Sequence, residues 1–166
     1  MKRVIIALLL LLVPAVCHAD GINDVMIALK HLNGVATYGS SYVDYSYYLK
    51  EAKSEVDYYR KGDDAKKNPK LSTALSEVIE LYELAGSFIS RFDTSKGLMD
   101  IGPDAPPQNK KIASEFFSRF PQDKKDVAEG GVLMSHHGDK LSTKAAVNKL
   151  FKRASDKYIE VVKLLK

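Results

Sequence analysis

Apolar residues recur along most of this chain at spacings of three and four, the interval that stacks side chains on one face of a helix. Over residues 22–32 that face is Ile22, Val25, Met26, Leu29 and Leu32, and Gly34 and Gly39 then predict a turn. From Ser41 to about Lys61 a longer stripe follows: Tyr42, Tyr45, Tyr48, Leu49, Ala52, Val56 and Tyr59. Ser41 suits the N-cap, where its hydroxyl accepts from first-turn amides, and Asp44 adds negative charge at the positive helix end. Gly62 and the polar run through Lys67 close this element, and Asn68-Pro69 opens the next, with proline where its missing N–H costs nothing. The band from Leu71 to Phe92 is the most strongly periodic in the chain. Gly86 lies within it, a position that suits the close approach of a neighbouring ring. Ile112, Phe116, Phe117 and Phe120 predict a short aromatic helix from Lys110 that Pro121 stops. Val127, Ala128, Val132 and Leu133 suggest another short one, weakened by Gly130-Gly131. A last helix runs from a Ser142 cap to Leu165, with Val147, Leu150, Phe151, Ala154, Tyr158 and Val161 on one side.

Residues 93–108 contain three prolines and two glycines, so no regular element is expected to pass through them. No segment alternates with period two between turn dipeptides, which argues against strands. No internal repeat is present either: the helix pair over 41–61 and 71–92 has no second copy. The expected fold class is all-α, an antiparallel bundle of three long and two to three short helices forming a single domain over residues 20–166.

The first nineteen residues change the picture. Lys2 and Arg3 precede an apolar run from Val4 to Val13, and a small-residue exit ends at Ala19, the build of a secretory signal peptide cleaved after Ala19. The competing reading is lipidation at Cys17, against which stand Val16 and Pro14 at positions where smaller or aliphatic residues are usual. The run is too short to cross a bilayer as a helix, which takes about 20 residues, and no later segment is longer. Export implies a periplasmic or secreted protein.

Cleavage would remove two of the 25 basic residues and none of the 21 acidic ones, leaving a net charge of +2. So small an excess gives no reason to expect nucleic acid as a partner. The only cysteine is Cys17, so the processed chain would have no disulfide, thiolate metal site or catalytic cysteine. Its stability must then come from a packed core. With 45% apolar residues, 28% charged and no tryptophan, the composition is that of an ordinary globular domain.

Three features could carry chemistry. His136 and His137, with Met134 and Asp139 nearby, could bind copper or zinc through neutral imidazole; adjacent helical positions point about 100° apart, however, so an irregular backbone would be needed to bring both to one ion. His31 is the only other histidine downstream of the leader. Second, Tyr47 and Tyr58 project opposite the apolar stripe of their helix, beside Val43 and Ser54, where a ring with a polar tip suits a protein partner or a sugar. Third, the last helix is rich in bases, among them Lys149, Lys152 and Arg153, which could meet an acidic cell-envelope component. Glu77, Glu80 and Glu83 share one helix, but no Glu-x-x-His element accompanies them as a di-iron bundle requires. No catalytic constellation or cofactor motif is present. The sequence therefore predicts an exported binding or structural accessory module without enzymatic activity, with a metal-binding accessory protein using His136 and His137 as the alternative and a hydrolase as the reading with the least support.

Overall fold

A computed structural model describes residues 20–39, 41–91, 97–129 and 140–166. The chain is mostly helical there. Helix α1 spans Asp20–Tyr38, α2 Tyr42–Lys61, α3 Asp63–Lys67 and α4 Pro69–Ile89. A strand β1, Leu98–Asp100, precedes α5, Pro107–Arg119, a 3-10 turn at Pro121–Asp123, and α6, Lys124–Glu129. Strand β2, Lys140–Ser142, leads into α7, Thr143–Leu164. Among the described residues no helix is long and apolar enough to cross a membrane.

Capping fixes where the long helices begin. Ser41 Oγ accepts from the Asp44 amide at 3.1 Å, Asn68 Oδ1 from Leu71 at 3.2 Å and Ser142 Oγ from Ala145 at 3.2 Å, each satisfying an amide that the first turn leaves without a partner. Pro69 occupies the first turn of α4, as its sequence position predicts. Helix α1 differs from expectation: it continues through Gly34 and stops at Tyr38, before Gly39 at φ 75°. Glycine in a helix costs about 1 kcal/mol relative to alanine, and packing of Val35 and Ala36 against the core offsets that. The polar run after Gly62 is also more ordered than predicted, because Ala65 is buried and holds it as the short α3.

Helix α4 lies at the centre, buried on several sides through Leu75, Val78, Tyr82, Ala85 and Phe88. Helix α7 runs alongside it in the opposite direction, with Leu164 near Pro69 and Arg153 near Glu80. Tyr45 of α2 donates to the Tyr82 carbonyl at 2.7 Å, and Tyr82 in turn donates to Asn33 Oδ1 of α1 at 2.8 Å. Two large rings thereby enter the core with their hydroxyls satisfied. Burial pushes both phenols well above the usual tyrosine range. The Tyr45 ring passes Gly86 so closely that a Cβ there would lie 3.2 Å from its Cε1.

The absence of strands expected from the sequence is corrected by β1 and β2, which pair antiparallel with Met99 opposite Leu141. Three residues per strand are too few for an alternation to register, and the pair forms because both central side chains are buried. Thr143 N donates to Gly97 O at 3.1 Å beside it, and Gly97 has φ 60°, a conformation glycine adopts without penalty. The described part of the stretch 93–108, residues 97–108, is likewise less irregular than expected. Asp100 Oδ1 accepts from the Gly102 amide at 3.1 Å, the Asp100 carbonyl accepts from Asn109 Nδ2 at 3.2 Å, and α5 begins at Pro107. Of the second short helix, α6 covers Lys124–Glu129 and buries Val127, and residues 130–133 lie outside the described ones.

Candidate functional site

Helix α2 presents two faces. The inner one buries Tyr45, Ala52, Val56 and Tyr59, with Tyr48 and Leu49 half-buried beside them. Tyr42, expected on that stripe, is 47% exposed at the first position of the helix. On the outer face Tyr47 is 64% exposed and Tyr58 71%, with Val43 exposed on the same side. Eleven residues separate the two tyrosines, about three helical turns, so they stand roughly 16 Å apart along the axis in nearly the same direction. Tyr47 meets Tyr48 edge-on at 5.3 Å between ring centres, and Tyr48 meets His31 of α1 at 5.8 Å, which forms a row of three rings across the α1–α2 seam.

The bases of α7 divide into two sets. Lys152 is exposed, with no partner among the described residues. Lys149 and Arg153 instead turn inward to Asp123, which the 3-10 turn holds in place with its side chain only 6% exposed. Lys149 Nζ lies 3.3 Å from Asp123 Oδ1 and 2.7 Å from Asp126 Oδ2, and Arg153 lies 2.5 Å from Asp123 Oδ2 as a close ion pair without aligned hydrogen-bond geometry. Burial alone would raise the Asp123 carboxyl; Arg153, and then Lys149, outweigh it and hold the group below the usual carboxylate range. Lys149 and Arg153 thus serve internal pairing. Arg153 also stacks over the Phe120 ring at 4.4 Å, and Arg119 approaches the same ring at 5.8 Å.

These contacts border an open cleft of about 480 Å³ between α4, the end of α5 and α7. Leu81 and Phe120 give it apolar surface, and Glu77, Glu80, Arg119, Arg153, Asp156 and Lys157 give it charge of both signs. Arg119 crosses to Glu80 at 3.1 Å and Lys157 to Glu77 at 2.7 Å. Those bonds, first to Glu77 and then to Glu160, hold the Lys157 ammonium above its ordinary value. The glutamates and the bases are each visible in the sequence, but only the packing of α5 and α7 against α4 brings them together. Phe120 was the available signal, an aromatic at a helix end beside an arginine.

His136 and His137, with Met134 and Asp139, lie outside the described residues. Among the described residues no group of three histidine, cysteine, aspartate or glutamate side chains could hold a metal ion. His31 packs edge-on against Tyr48. No known protein family, curated protein or solved structure matches the chain.

Proposed function

We propose that this protein is an exported, non-catalytic helical-bundle module that binds a protein partner of the cell envelope through the outer face of α2. The observation that carries this reading is the exposure of Tyr47 and Tyr58 in nearly the same direction. Neither ring is needed to fill the core, and their spacing of about 16 Å suits an extended surface better than one small ligand. Tyrosine brings a large rigid contact area at low entropic cost, and Val43 adds apolar surface on the same side. The signal-like leader supports an envelope location, and the positive run at its start is what an export pathway reads.

Photo-cross-linkers placed at positions 47 and 58 of the full chain in the producing cell test this. Both are expected to trap the same discrete partner, whereas a cross-linker at exposed Lys66 on α3 traps none. Tyr58→Ser should weaken trapping from position 47 while changing stability by less than about 0.5 kcal/mol, as is usual for an exposed side chain. Equal trapping from position 66, or recovery of the uncross-linked chain alone, would overturn the reading.

A further inference from the structure

The cleft between α4, α5 and α7 has a charge layout that selects a ligand class. The charged residues of its α4 wall are both acids, Glu77 and Glu80, whereas Arg119 and Arg153 converge on the Phe120 ring. Asp156 is the one carboxylate of the cleft with no ion pair or hydrogen bond among the described residues. The two arginines each spend a single carboxylate contact, on Glu80 and Asp123 respectively, out of five N–H donors per guanidinium. The cleft therefore has one unused acceptor, three residues beyond Arg153 on the same helix, and two partly unused donors, with apolar surface from Leu81 and Phe120 beside them.

We propose that this cleft binds a small zwitterion with a free ammonium and a free carboxylate on an apolar body, of the size of a dipeptide with apolar side chains. An anion alone would meet Glu77, Glu80 and Asp156, and a cation alone would meet Arg119, Arg153 and Lys157, so either meets like charge as well as opposite charge. A zwitterion matches both. Its ammonium donates to Asp156, its carboxylate accepts from Arg119 and Arg153, and its side chains cover Leu81 and Phe120. The ion pairs Arg119–Glu80 and Lys157–Glu77 are substantially exposed, the kind whose partners exchange at little cost. The volume of about 480 Å³ lies within the range of small-molecule sites. This inference is independent of the tyrosine face, which lies on α2.

Amide chemical shifts of the full chain, followed during titration with leucyl-phenylalanine, its N-acetyl form and its C-terminal amide, test the proposal. The unblocked dipeptide is expected to give saturable shifts on Glu77–Leu81, Arg119, Phe120 and Arg153–Lys157, and each blocking group is expected to weaken binding roughly tenfold or more. Asp156→Asn should reproduce the loss caused by acetylation without further weakening the acetylated probe, and Arg119→Gln should do the same for the amide. Absence of saturable binding up to about 10 mM, equal binding of blocked and unblocked probes, or shifts confined to other helices would each overturn it. The blocked probes act on the unaltered protein, so the proposal can fail on them alone, even where a variant folds poorly.

Discussion

Asp123 shows how a single residue joins elements that are far apart in the chain. It is nearly buried, and it draws Arg153 and Lys149 of α7 onto the turn that follows α5. A buried carboxylate of this kind stays ionised only while it is paired. Asp123→Asn should therefore destabilise the protein by about 1–3 kcal/mol at neutral pH, the range for leaving a polar group without its partner, measured by urea unfolding. The sign of the pH effect follows from the lowered folded value. The contribution is complete above the unfolded carboxyl value of about 3.9 and is lost as pH falls through the lower folded value. The wild-type advantage over Asp123→Asn should be constant from neutral pH to about 5 and should shrink below about pH 4. An advantage that instead grew on acidification would contradict the assignment. Nothing in the local sequence marks Asp123 as special, because its partners lie more than twenty residues ahead.

At the scale of the element, two glycines in helices make opposite demands. Gly34 of α1 has open space where a Cβ would go, so Gly34→Ala should stabilise the protein by about 0.5–1 kcal/mol through helix propensity and a less disordered unfolded chain. Gly86 of α4 faces Tyr45 Cε1 at 3.2 Å and Leu49 Cδ2 at 3.4 Å. The Leu49 methyl can give way. The Tyr45 ring cannot easily, because its hydroxyl is held on the Tyr82 carbonyl. Overpacking costs about 1–3 kcal/mol and exceeds the propensity gain, so Gly86→Ala should lower the melting temperature while Gly34→Ala raises it. The helices themselves were legible: the caps Ser41, Asn68 and Ser142 and the periodic bands locate α2, α4 and α7 to within a residue or a turn. Helix α1 runs past Gly34, against the sequence expectation, because a local propensity of about 1 kcal/mol is smaller than the packing of one further turn. The strand pair was illegible because it depends on Met99 meeting Leu141, a contact no local pattern records.

For the whole molecule, the question is whether the strand pair belongs to the same cooperative unit as the helices. Leu141 is fully buried and packs in the common core with α4 and α7 residues. Leu141→Ala should cost about 2–5 kcal/mol and preserve a single unfolding transition by circular dichroism; two separated transitions would show the pair to be an independent appendage. The candidate binding features divide along the same line. The outer face of α2 was legible, because with the opposite side committed to the core a helical projection leaves Tyr47 and Tyr58 outside. The cleft was not, since its charges come from three helices whose relative placement no one segment encodes.

What the sequence determined by itself is the set of helices and their inward faces, since periodicity and capping act within a few residues of one another. The tertiary structure alone decided which bases are spent internally on Asp123, which glycine has room for a methyl group, and which acids and arginines share one cleft. Those are distances between segments, set by how the apolar faces pack together, and a chain read one residue at a time contains no such distances.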